Sequence, residues 1–97
     1  MKLIFTCLLS IGVTSTSFSQ TDSLSLKIGQ MLLIGFADTK VDEKVLKEIK
    51  DGKVGSIIIF EKNIPKSNSY VALKKIIWTY QQAATTPLFI AIDQEGG

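Results

Sequence analysis

The sequence has no histidine and no arginine, and its one cysteine, Cys7, lies close to the start. Serine–histidine or cysteine–histidine catalysis, or a histidine metal site, cannot be assembled from these residues alone. All 11 basic residues are lysines, balanced by 9 acids. They are spread over stretches of helical periodicity, as on solvated faces. Neither a nucleic-acid footprint nor a polybasic membrane patch follows from that pattern. Gly29 and Gly35 are too far apart for a dinucleotide fingerprint, and there is no P-loop lysine motif. With 97 residues the chain holds at most one small domain.

What is present begins with an export pattern. Met1-Lys2 is a short positive region, and Leu3 to Val13 is apolar apart from Thr6, Ser10 and Gly12. Thr14 to Ser19 is small and polar except for Phe18, with Ser17 and Ser19 at the −3 and −1 positions of a cleavage site. Residues 1–19 therefore read as a secretory signal peptide, too short in its apolar run for a stable membrane anchor. An uncleaved anchor is the competing reading. The expected location is the periplasm or the exterior. Cys7 sits inside the apolar run rather than after it, which is wrong for a lipoprotein. Cleavage leaves a mature chain with neither disulfide nor thiol chemistry.

From residue 20 the pattern is that of an α/β fold. Gln20 to Ser25 is polar and is expected as a short extended lead; Leu24, Ile28 and Met31 then suggest one or two helical turns, capped by Ser23 or Ser25. Met31 to Phe36 is a continuous apolar run, as in strands covered on both faces. Val41, Val45 and Ile49 form one stripe of a surface helix. Asp42 is its expected cap, Glu43–Lys47 a favourable pair, and Asp51-Gly52 its end. Val54 to Phe60 is a β-branched strand, and Pro65 breaks the chain after it. Leu73, Ile76, Ile77, Tyr80 and Ala84 mark a second amphipathic helix, with Lys74, Lys75, Gln81 and Gln82 facing away and Trp78 off the stripe. Leu88 to Ile92 is the third strand. Each gap between strands holds one helix, as parallel neighbours require. An open doubly wound sheet and a (β/α)8 barrel both fit. Three strands of either leave an unpaired edge, so a continuation past Gly97 is expected.

Chemistry in such folds gathers at the carboxyl ends of strands. The third strand delivers Asp93 there, followed by Gln94-Glu95-Gly96-Gly97. Three readings of Asp93 and Glu95 compete: two solvated acids in a turn, a hard-metal site, and a polar-ligand site where Asp93 accepts hydrogen bonds from hydroxyls. Two acids without further ligands are thin support for Mg²⁺ or Ca²⁺, and no metal or cofactor is expected. Two carboxylates so close in sequence do not flank a scissile bond, so the pair is not a complete glycosidase apparatus. Glu61, Lys62 and Asn63 follow the second strand onto the same rim, either as solvated loop residues or as supports of a pocket wall.

Three stretches carry a resemblance: Lys27-Ile28-Gly29-Gln30-Met31-Leu32-Leu33-Ile34-Gly35-Phe36, Asp51 to Phe60, and Pro87 to Gly97 with its Asp-Gln-Glu-Gly-Gly ending. Together they resemble the opening of glycoside hydrolase family 3, in the form of its bacterial β-N-acetylhexosaminidases. The resemblance implies that residues 20–97 are about three βα units of a TIM-type (β/α)8 barrel, the N-terminal portion of the catalytic domain. It implies retaining hydrolysis of terminal, non-reducing β-linked N-acetylglucosamine, a carbohydrate substrate and no cofactor. Asp93 matches a sugar-binding aspartate of the family, with Glu95, Lys62 and Asn63 as candidate pocket supports. No residue here matches the family's nucleophile, its acid/base group or its Lys-His pair, which are expected beyond Gly97. Lys62 stands where the family often has arginine, so the planar fork of a bidentate donor is lost. The alternatives are a β-glucosidase of the same family and a non-catalytic α/β sugar-binding protein. Residues 20–97 alone are expected to be inactive and poorly folded. Sharp, dispersed amide resonances from that piece in isolation would overturn this expectation.

Overall fold

The computed structural model describes residues 20–96, so the predicted export signal and Cys7 lie outside the described residues. The elements run α1 (Gln20–Gln30), β1 (Leu33–Ile34), α2 (Glu43–Lys50), β2 (Ser56–Ile59), a 3₁₀ turn (Glu61–Asn63), α3 (Ser69–Ala83) and β3 (Phe89–Ile92). The strands form one parallel sheet in the order β1-β2-β3. Ile34 pairs with Ile57, and Ser56 to Ile59 pair with Phe89 to Ile92. The alternation of helix and strand read from the sequence is thus the observed one, and all three strands run the same way.

The core lies on one side of this sheet. Ile57 and Ile59 of β2 are fully buried against Val45 and Ile49 of α2 and Ile76 and Tyr80 of α3. Ile34 and Ile90, level with Ile57, pack on the same cluster. The opposite face is not covered. Phe89 there is 78% exposed and Leu33 51% exposed. The expectation that β1 is covered on both faces therefore does not hold among the described residues, and β3 shares the bare face. β1 is also shorter than the apolar run that predicts it. Met31 and Leu32 still donate their N–H groups back to Ile28 and Gly29 of α1, which delays the start of extended backbone.

Local signals explain the helices. The Asp42 carboxylate caps α2 by accepting from the N–H groups of Lys44 and Val45 at 2.9 and 3.3 Å. Lys47 pairs with Asp51 rather than with Glu43, tying the side chain to the helix end instead of the helix start. α1 spans Gln20–Gln30, so the expected extended lead over Gln20 to Ser25 is helical instead, and Ser23 and Ser25 fall inside the helix and do not cap it. On α3, Trp78 is 61% exposed, as its position off the stripe predicts. Gln81 departs from expectation. Its amide accepts from Leu88 N–H at 2.9 Å and donates to Leu88 O at 2.8 Å, drawing it in to fasten the entry of β3 to the helix.

The end of α1 is packed against the entry of β2, backbone on backbone. A Cβ on Gly55 would come 2.1 Å from Gln30 O, and one on Gly29 2.4 Å from Gly52 O. Only hydrogen fits at either position, which is the physical content of the Gly29-Gln30-Met31 stretch. Gln30 also reaches Val54 O through its side-chain amide. This contact lies at the end of the sheet opposite Asp93.

Tyr80 joins the two crossover helices. Its ring is wholly buried, 5.4 Å from that of Phe36, and its hydroxyl accepts from Asp42 N–H at 2.8 Å. Burial raises its pKa above the ordinary 10.0, because the phenolate would lose its hydration. The stability contributed by the neutral ring is therefore complete below pH 10.0 and is lost as pH rises through the raised value. Tyr80→Phe should cost about 1 kcal/mol at neutral pH, since it strands the Asp42 N–H. It should also flatten the fall in stability on the alkaline side. Urea midpoints of both proteins at neutral and alkaline pH measure the two effects.

Candidate functional site

The parallel register brings the exits of β2 and β3 to one rim. Ile59 pairs with Ile92, and the next residue, Asp93, still donates its N–H to Ile59 O at 2.9 Å. The sheet ladder therefore fixes the backbone of Asp93, while its side chain is exposed. Facing it is the turn after β2. Between them lies a cleft of about 640 Å³, lined by Phe60, Glu61, Lys62, Ile64, Ile92, Asp93, Gln94 and Glu95.

Three of the four site residues expected from sequence meet in this cleft. Asp93, Glu95 and Lys62 all line it, and all are exposed. Lys62 has no ion pair among the described residues. Its ammonium instead lies 5.7 Å from the centre of the Phe60 ring. The cleft thus offers carboxylates that can accept from hydroxyls, one cation and an aromatic surface. These are groups suited to a polar, hydroxyl-rich ligand with an apolar face. Among the described residues, no three His, Cys, Asp or Glu side chains gather as a metal site would require.

Asn63 lies elsewhere. It is fully buried beneath the turn, not in the cleft. Its Oδ1 accepts from Phe60 N–H at 2.9 Å. Its Nδ2 donates to Phe36 O at 3.0 Å and to Asp38 O at 2.9 Å. Glu61, assigned to the rim from sequence, lines the cleft as well; Phe60, Ile64, Ile92 and Gln94 complete the lining, and sequence reasoning did not single them out as site residues. The signal for Phe60 and Ile64 was their place on either side of Glu61-Lys62-Asn63, the stretch already assigned to the rim.

A second hollow of about 460 Å³ lies at the other end of the sheet, between α1, the end of α2 and Thr85-Thr86. It receives no strand exit, and Asp51 there is already paired with Lys47.

Parallel strands that deliver polar side chains to one rim, with helices packed behind, define an α/β protein with its site at the strand exits. The chain belongs to glycosyl hydrolase family 3, whose N terminal domain matches residues 23–97. A beta-hexosaminidase of Xylella fastidiosa (strain M12) is 34% identical over 67 residues, covering 69% of this chain and 19% of that protein. The same enzyme from strain 9a5c is 33% identical over the same length. Among solved structures, a fungal multi-domain GH3 beta-N-acetylglucosaminidase with a GCN5-related glucosamine N-acetyltransferase region superposes with a TM-score of 0.65. The two share 33% sequence identity, and the match covers 75% of this chain and 9% of that one. The chain therefore spans 19% of the length of the curated relatives it matches.

Neighbours in sequence should respond oppositely to truncation. Lys62→Ala should leave stability within about 0.5 kcal/mol, as for other exposed side chains. Asn63→Ala strands one donor and two acceptors and should cost at least about 3 kcal/mol. Urea unfolding of the two variants beside the parent gives the comparison.

Proposed function

We propose that this chain is the N-terminal part of an exported glycosidase that removes terminal β-linked N-acetylglucosamine from the non-reducing ends of carbohydrates. Asp93 binds the sugar by accepting hydrogen bonds from its hydroxyls. Lys62 and Glu95 form the flanks of that subsite. The observation that carries this reading is the position of Asp93: its backbone is held by the last bond of the β2–β3 ladder, and its carboxylate is free in the cleft. Family membership and the names of the relatives support the reaction class. The charge and hydropathy pattern of residues 1–19, read from sequence as an export signal, supports action outside the cytoplasm.

The reading extends to architecture. β1, β2 and β3 are the first staves of a (β/α)8 barrel. Two features support that over a doubly wound sheet. The strands are neighbours in chain order, and α2 and α3 share one core with the same sheet face. A doubly wound sheet carries helices on both faces. The bare apolar side, with Phe89 and Leu33, would then be the interior of the barrel. The nucleophile and the proton donor of hydrolysis come from other strand exits, since two carboxylates at one strand exit do not flank a scissile bond.

The test is Asp93→Ala in the complete protein that carries these residues, assayed on an aryl β-N-acetylglucosaminide. Loss of a charge-assisted hydrogen bond should cost about 1.5–3 kcal/mol, a fall of about 10- to 150-fold in kcat/KM. A variant with the parent's kcat/KM removes Asp93 from the site.

A further inference from the structure

Asn63 is the one buried amide or charged side chain among the described residues, and its neighbours in the turn line the cleft. Its amide ties together the loops that continue β1 and β2 beyond the last rung of their pairing, Ile34 with Ile57. Phe60, at the exit of β2, lies 3 residues away in sequence, whereas Phe36 and Asp38, beyond β1, lie 27 and 25 residues away. The turn from Phe60 to Ile64 turns only this polar side chain inward. Phe60, Lys62 and Ile64 on either side of it line the cleft. Any rotation of the turn that moves Asn63 therefore moves that whole wall against Asp93. The loop after β1 has no ladder bonds of its own. It is held by Asn63 at one end and by the Tyr80–Asp42 bond at the other.

We infer that Asn63 is a positioning residue for substrate: it anchors the wall Phe60–Ile64 to the exit of β1 and so fixes the width of the cleft opposite Asp93. The inference rests on the glycosidase reading of that cleft. An apolar side chain could fill the same space, but it would leave the carbonyls of Phe36 and Asp38 without partners and the wall without an anchor. A buried amide with three bonds in fixed directions sets orientation as well as depth.

Asn63→Asp separates the two halves of this role in the complete enzyme. The carboxylate still accepts from Phe60 N–H, so the turn stays closed. Both donors to the loop after β1 are gone. Facing two carbonyl oxygens in a buried site, the new side chain favours its protonated form, which regains one donor. The folded variant should therefore show kcat/KM at least about tenfold below the parent at alkaline pH, since small misplacements of binding groups are costly. The ratio to the parent should recover as the pH is lowered, and amide exchange across residues 36–40 should quicken when it is raised. A folded variant whose ratio stays within about twofold of the parent at every pH overturns the inference, being below the tenfold that a misplaced wall predicts.

Where the variant does not fold, hydrogen exchange of the parent decides. The Phe60 amide and residues 36–40 should open together, and separate opening overturns the link. The two readings fail differently. A parent enzyme that hydrolyses no β-N-acetylglucosaminide defeats the glycosidase assignment and this inference with it. Hydrolysis by the parent with an indifferent Asn63→Asp defeats this inference alone.

Discussion

Everything at the rim depends on β2 being hydrogen-bonded to a parallel neighbour along each of its edges. A parallel pair needs a crossover, and here each crossover is one amphipathic helix laid on the same face. Ile57 and Ile59 project into that layer and are completely buried, each contributing about 1.5–3 kcal/mol by removal from water. The same pairing makes every strand leave the sheet at the same end. Asp93 and the Phe60–Ile64 turn are thus brought face to face, although about thirty residues of chain separate them.

The two sides of the cleft are secured by different means. Asp93 is held through its backbone: its N–H completes the ladder, while its side chain is exposed and bonds to no other side chain or backbone group among the described residues. The turn opposite closes on two backbone bonds of its own, Asn63 N–H to Phe60 O and Ile64 N–H to Glu61 O, and the buried amide of Asn63 ties it to the loop after β1. Such an arrangement suits a site that must exchange water for hydroxyls without rebuilding its walls. This division leaves the polar groups lining the cleft exposed, while every buried side-chain polar atom among the described residues has a hydrogen-bond partner.

Much of this was legible in the chain itself. Period-four apolar stripes gave α2 and α3, β-branched runs gave β2 and β3, and Asp42 was recognisable as a cap because a short acceptor stood just before an apolar stripe. Asp93 and Lys62 were placed on one rim by counting alternating elements. Three features were not legible. β1 shrank to Leu33–Ile34 because α1 keeps Met31 and Leu32 in its last turn. Gln81 reads as a solvent residue, yet its amide bonds both backbone groups of Leu88. Asn63 reads as a loop asparagine beside Lys62. Its burial depends on two carbonyls from a distant part of the chain.

The sequence alone determined the order of elements, the parallel sense of the strands and the residue at each exit. Periodicity and turn chemistry act over a few residues, and they survive without knowledge of what lies across the fold. Tertiary structure decided which polar side chains go inward and how far each strand extends. Those outcomes turn on partners 25 or 27 residues away, whose unpaired carbonyls would be costly to bury and whose positions no local pattern records.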